Sequence, residues 1–401
     1  MQAFPGFFRG GTAILSAPLT MRTSAPVVPE DRAGALALHV LHSPSRIERY
    51  LPSLWVAGVE QSAPPAAASP AGGKSASIPA VLGTMSIPEP LDPAAASEAL
   101  EYFHAAGFDE IDTAILYQDG ATETTLGEIG VEKFRVAAKA NPWYKTDESH
   151  DFFTPTYGLR PDLVKEQLRK SIEVLGVPSV ELFYLHAPDH NTPIERTLQA
   201  VHELRSEGLF REWGLSNYTA WETVDIWHIC KANGWQTPAV YQGMYNAVTR
   251  EVERELLPAL KKLGMRFYAY NPLAGGLLSG KHKFEKPPED GRFSTTSLWG
   301  SLYRARYWRK ELFDEIEKLK TICVKHDTDL VSASFRWMRH HSSLTGKAGD
   351  AVIICGSSVS QVKGNVDACR DENPLPKVRD LVDGFDVAWQ SAKPHCPSYF
   401  K

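Results

Sequence analysis

Cysteine is scarce and badly spaced for cross-linking. The chain holds five, an odd number, at Cys230, Cys323, Cys355, Cys369 and Cys396. None stands in a Cys-x-x-Cys pair, so neither a disulfide scaffold nor a cysteine metal site is expected. Free thiols in a reducing compartment are the simplest reading, and with it a cytoplasmic protein. A basic excess is missing too: 43 Lys and Arg against 48 Asp and Glu leave a net charge of −5. That argues against non-specific nucleic-acid binding. No run approaches the roughly 18 unbroken apolar residues of a membrane helix. Also missing is the Gly-x-Gly-x-x-Gly that a dinucleotide-binding fold places after its first strand. The first strand-like segment here ends in GTMSIPEP. What is left is an ordinary globular composition, 43% hydrophobic and 23% charged.

The 401 residues divide unequally. Residues 1–76 close on QSAPPAAASPAGGKSAS, which runs to Ser77 and has little to build a core from. We expect a low-complexity, disordered extension. Arg9 and Arg22, with no acid before Glu30, give a weak likeness to an organellar targeting peptide, interrupted by Pro5 and Pro18. Residues 77–401 read as one domain in which strand-like and helix-like segments alternate. The strand-like segments are IPAVLGTM (78–85), EIDTA (110–114), RVAAK (135–139) and VELFYLH (180–186), then EWGLSN (212–217), PAVYQ (238–242), MRFYAYN (265–271) and AVIICG (351–356). They are mostly apolar rather than alternating, as strands buried on both faces should be. Eight such units predict an α/β fold, a (β/α)8 barrel. LVSASFRWMRHH and VRDLVDGFDVAWQSA predict two helices outside the repeat.

A barrel's active site lies at the C-terminal ends of its strands. Asp112 and Tyr117 follow the second strand, Lys139 closes the third and His186 the fourth. Singly, each has a structural explanation; on adjacent strand ends they suggest carbonyl reduction. A phenol keeps its proton near neutrality and can give it to a developing alkoxide. An ammonium beside it strengthens the acid, and a carboxylate holds the ammonium in place. An imidazole can polarise the carbonyl by a hydrogen bond.

These residues sit in segments that resemble one family closely. DEIDTAILYQDGATETTLG, LFYLHAPDH, WGLSNYTAWE, VYQGMYNAVTR, RFYAYNPLAGGLLSGK and YRARYW are similar to the aldo-keto reductases, within them the aflatoxin-aldehyde and succinic-semialdehyde reductase branch. The likeness runs from about residue 79 to the C-terminus. It implies a metal-free, NADPH-dependent aldehyde reductase, commonly a homodimer, with Asp112, Tyr117, Lys139 and His186 as its tetrad. A contrasting reading is a non-catalytic nicotinamide-binding sensor resembling potassium channel beta subunits. NADPH oxidation with a panel of aldehydes separates the two.

The cofactor residues follow in the same way. Ser216, Asn217 and Gln242 end strands five and six, where amides and hydroxyls can satisfy a carboxamide. The resemblance assigns them to the nicotinamide and places Tyr270 flat against its ring, although Ser216 could equally cap the backbone and Tyr270 could be core. Asn271 opens a long loop. In it, Leu273 and Gly275 match the family's belt over the pyrophosphate, and Lys281 and Arg292 can supply positive charge. Gly356 and Ser357 precede a helix whose N-terminal amides suit phosphate. By resemblance, Gln361 and Asn365 on that helix hold the adenosine end. Many relatives outside the branch have a basic residue at the place of Gln361, which makes Arg292 the alternative source of charge. Trp143 and Tyr144 can wall a substrate pocket. Arg304 and Arg306, expected on the loop after strand seven, can meet a substrate carboxylate, cofactor phosphate or solvent.

Overall fold

The computed structural model describes residues 77–144, 157–371, 373, 375 and 379–400. The expectation for residues 1–76 lies outside them. Eight strands form the barrel: β1 (Ala80–Gly83), β2 (Glu110–Asp112), β3 (Arg135–Ala140), β4 (Val180–Leu185), β5 (Phe210–Ser216), β6 (Val240–Met244), β7 (Arg266–Tyr270) and β8 (Ala351–Ile354). They pair in parallel, each with its neighbours in sequence. β8 closes on β1 through Val81 opposite Ile353. This is the (β/α)8 barrel predicted from the eight repeats.

The helices of the repeat are α1 (Pro93–Ala105), α2 (Ala121–Ile129), α3 (Pro161–Leu175), α4 (Ile194–Ser206), α5 (Ala220–Ala232) and α6 (Leu256–Leu263). After β7 come α7 (Leu298–Tyr307), α8 (Lys310–Lys325) and α9 (Leu330–His340); after β8 come α10 (Val359–Arg370) and α11 (Arg379–Ala392). The two extra helical stretches seen in the sequence are α9 and α11. Local chemistry starts several helices. Asp92 caps α1 ahead of Pro93, and Thr219 and Glu222 form a reciprocal capping box on α5. The main core lies between the strands and the helical ring. A second, smaller cluster including Val81, Tyr184, Val240 and Ala351 fills the barrel interior. The barrel is therefore a packed solid that leaves room for ligands only at its ends.

Two departures from the sequence reading affect the site. Strands β5 and β7 stop one residue before the predicted ends because Asn217 (φ 63°) and Asn271 (φ 57°) turn left-handed. Asn tolerates that conformation better than most residues. The segment SLYRARYW, expected as loop, is largely helix α7, with the Ser297 hydroxyl accepting from the Gly300 amide. In a helix, residues two apart point in different directions, so Arg304 and Arg306 part company.

Candidate active site

β2 reads Glu-Ile-Asp. Period-two geometry sends Ile111 outward to the helices and Glu110 and Asp112 inward. At the C-terminal end of the barrel, Asp112 meets Lys139 from β3. Lys139 is 1% exposed and Asp112 3%. The ammonium donates to Asp112 Oδ1 at 2.6 Å, to the Thr113 carbonyl at 2.7 Å and to the Tyr117 hydroxyl at 3.4 Å. Its three protons thus have three acceptors, which is what a buried ammonium requires. Gln242 Nε2 donates to the other Asp112 oxygen at 2.8 Å and fixes the carboxylate from β6. Burial pulls the Lys139 ammonium below its ordinary value, with Asp112 opposing. Burial, then Asp112, hold the Tyr117 phenol well above its ordinary value; Arg292 pulls the other way. The phenol is therefore a protonated donor at neutral pH. The His186 ring lies edge-on to it, centroids 6.0 Å apart at 79°. The four residues picked on strand ends do converge.

Tyr117 stands where two cavities adjoin. The smaller, of about 130 Å³, is lined by His186, Trp143, Trp299, Leu302 and Arg306 among others. The larger, of about 1370 Å³, extends over the barrel mouth to the start of α10. Ser216, Asn217, Gln242 and Tyr270 line the smaller one, and all but Gln242 are linked to one another by side-chain bonds. The Tyr270 hydroxyl donates to Asn217 Oδ1 at 2.8 Å. Asn217 Nδ2 donates to Ser216 Oγ at 3.0 Å and to the His186 carbonyl at 2.8 Å. Asn271 borders both cavities, and Leu273, Gly275 and Lys281 border the larger. At Gly275 a side chain would fail twice: φ is +70°, and a Cβ would come within 2.7 Å of the Tyr303 ring.

Arg292 also borders both cavities. It donates to the Tyr303 hydroxyl at 2.9 Å and to Cys355 Sγ at 3.1 Å. At the far end, Gly356, Ser357, Gln361 and Asn365 line the large cavity. Ser358 caps α10, and the Gln361 side chain accepts from the Ser357 amide at 2.9 Å. A Cβ on Gly356 would lie 2.9 Å from Gln361 Cβ, so glycine is what lets the strand end approach this helix. Asn365 Nδ2 donates to the Cys355 carbonyl at 2.8 Å.

The substrate residues separate. Trp143 lines both cavities and Tyr144 the larger, its hydroxyl donating to Glu166 at 3.0 Å. Burial and that bond push the Tyr144 phenol up to about 12. Arg306 lines the smaller cavity, whereas Arg304 lines neither. Arg304 bonds the carbonyls of Phe293 and Ser294 and the Ser301 hydroxyl, tying α7 to the preceding loop. Sequence reasoning passed over Trp299, Tyr303 and Cys355, which line both cavities. The helical spacing of Trp299, Tyr303 and Arg306 was the available signal, and it requires recognising α7 as a helix.

No helix among the described residues is long and apolar enough to cross a membrane, and no cluster of metal-ligating side chains occurs among them. The solved glycerol dehydrogenase from Gluconobacter oxydans shares the fold, with a TM-score of 0.61 at 21% identity over 80% of this chain and 93% of that one. Among curated proteins, the rat aflatoxin B1 aldehyde reductase member 2 is 46% identical over 335 residues, 80% of this chain and 87% of its own. The human aflatoxin B1 aldehyde reductase member 4 is 45% identical, over 80% of this chain and 96% of its own. The Aldo/keto reductase family model matches residues 79–378. Similarity of this extent, carried on the barrel just described, makes the chain a member of the aldo/keto reductase family and an oxidoreductase enzyme.

Proposed function

We propose that the protein reduces aldehydes to alcohols with NADPH, and that Tyr117 is the proton donor. The observation that carries this is the Tyr117–Lys139–Asp112 group, a buried protonated phenol backed by an ammonium at the junction of the two cavities. The donor set also suits a dinucleotide. The start of α10 and the cations Lys281 and Arg292 border the large cavity, while Ser216, Asn217 and Gln242 offer amide and hydroxyl groups beside Tyr117. When bound, the nicotinamide supplies the hydride.

The chain's own residues do the rest. His186 and Tyr117 converge on the aldehyde oxygen, orienting it and polarising the carbonyl. As negative charge grows on that oxygen, the phenol gives up its proton. Lys139 stabilises the phenolate, and Asp112, clamped by Gln242, keeps the ammonium in place. Trp143 and Trp299 wall off water. Arg306 gives the small cavity a cation, which fits an aldehyde with a carboxylate, such as a semialdehyde acid. The aflatoxin B1 aldehyde in the curated relatives' names falls within the same chemistry, as would a related dialdehyde. The family resemblance further implies a homodimer, for which light scattering of the purified chain is the check, and the free cysteines fit a reducing, cytoplasmic compartment. The test of the function is aldehyde-dependent oxidation of NADPH by purified protein. Absence of turnover across neutral, aromatic and carboxylated aldehydes, with NADPH bound, would favour the sensor reading instead.

A further inference from the structure

Directly after Tyr117 the backbone does something costly. Gln118 (φ 48°), Asp119 (φ 54°) and Gly120 (φ 91°) are left-handed in succession. In the first two, Cβ crowds the following carbonyl. Such a conformation persists only where surrounding contacts over-determine it. Local bonds hold it, from the Ala121 amide to the Gln118 carbonyl and from the Thr124 hydroxyl to the Gly120 carbonyl, and the Gln118 side chain ties it to a distant segment. Gln118 Nε2 spends one proton on the Met85 carbonyl at 3.1 Å and the other on the Glu89 carbonyl at 2.8 Å. Both carbonyls belong to the segment joining β1 to α1, and Gln118, Met85 and Glu89 line the large cavity together. On the other side of the phenol, the Tyr117 amide is held by the Ala114 carbonyl at 2.9 Å.

We propose that Gln118 is a positioning residue for Tyr117: its carboxamide ties the left-handed turn to the β1–α1 segment and so sets where the phenol stands. The proposal rests on the reading of Tyr117 as proton donor. The phenol sits 3.4 Å from Lys139, a contact with little slack. Released from its tie, the turn relaxes towards ordinary dihedrals and carries the adjoining Tyr117 with it. A second tie to the same segment offers a control. The Thr122 hydroxyl donates to the Ile87 carbonyl from within α2, without gripping the turn.

The test uses the full chain with NADPH and one good aldehyde. Gln118→Ala removes both donors, and Gln118→Glu keeps the length but not the donors. Both should slow single-turnover NADPH oxidation by about 10- to 100-fold, the scale of a misplacement of up to 1 Å. The NADPH Kd and the aldehyde KM should stay within about twofold of the parent's. Thr122→Val should lower Tm but keep the parent's single-turnover rate. If the alanine variant fails to fold, the glutamate variant carries the same comparison. The proposal is overturned if neither Gln118 variant slows the chemical step more than Thr122→Val does, or if the loss lies in NADPH Kd alone. Tyr117→Phe run alongside separates the two readings. Near-parent turnover in that variant removes the proton donor itself. An inactive Tyr117→Phe beside parent-like Gln118 variants removes only the tie.

Discussion

Glu110 and Asp112 are two residues apart on β2, both point into the barrel, and both are acids within 5% of full burial. They end at opposite mouths. Glu110, at the N-terminal end, faces Arg135 at 3.1 Å and receives the Tyr268 hydroxyl at 3.4 Å. Around it, Arg135, Glu181, Arg211, Glu212 and Arg266 alternate in sign in a ring that water reaches. Burial pushes the Glu110 carboxyl up to about 7, even with Arg135 and Arg266 nearby. Asp112, at the other mouth, meets one enclosed ammonium whose remaining protons go to a carbonyl and a phenol. A ring of many half-solvated pairs tolerates the weakening of any member. A closed set with one cation does not, because removing one partner strands the others without water. The first arrangement suits holding strands together, the second suits moving a proton.

The sharpest way to break this contrast is at Tyr117. Tyr117→Phe deletes only the O–H, and turnover should fall by at least about 10²-fold while NADPH binding, read by fluorescence titration, holds. Lys139→Met should follow with a loss of about 10²-fold. The alkaline limb of its pH–rate profile should shift upward, because the phenol loses its neighbouring cation. Asp112→Asn should cost less, since an amide oxygen still accepts from Lys139. A Lys139→Met profile superimposable on the parent's would take the lysine out of the relay.

The contrast sharpens on α7. Arg306→Gln should raise KM for a semialdehyde acid by about 10- to 150-fold, the range of a charged hydrogen bond, and leave a neutral aldehyde of equal length nearly unaffected. Arg304→Gln should lower Tm, and move neither constant by more than about twofold, because its partners are two backbone carbonyls and the Ser301 hydroxyl, outside both cavities. Equal effects of the two variants on both aldehydes would deny Arg306 its role.

At the opposite mouth Glu110→Gln should leave turnover unchanged and alter stability instead. A carboxyl raised from 4.5 to about 7 on folding contributes stability below pH 4.5 that is lost as pH rises through 7. At about 1.4 kcal/mol per unit, the loss reaches up to about 3 kcal/mol by pH 8. Denaturant melts at pH 5 and pH 8 should show that fall in the parent and a flatter profile in Glu110→Gln. A rate change in this variant would couple the two mouths, against the contrast.

Much of this was legible beforehand. Apolar runs spaced by amphipathic ones call for parallel strands covered on both faces, and their number, eight, with no Gly-x-Gly-x-x-Gly after the first, favours a barrel over an open sheet. The strand-end rule then brings Asp112, Tyr117, Lys139 and His186 to one mouth. The turns were less legible. Asn217 and Asn271 cut strands short through a left-handed φ that composition does not announce. Gln118 looked like any polar residue after a tyrosine, since its two acceptors are carbonyls about 30 residues upstream and carry no side-chain signature. The separate placement of Arg304 and Arg306 is hidden because SLYRARYW reads as loop in the sequence, where two nearby arginines could act together.

The amino-acid sequence alone pointed to the fold class through periodicity and residue type, which are local properties of the chain, and to the family through the resemblance of its motif segments. Only the tertiary structure decided which arginine lines the small cavity, which partners each of the two β2 acids meets, and which carbonyls the Gln118 side chain reaches. Those outcomes depend on the direction each side chain takes from its own helix or strand, and on partners that the closing of the barrel brings from distant segments.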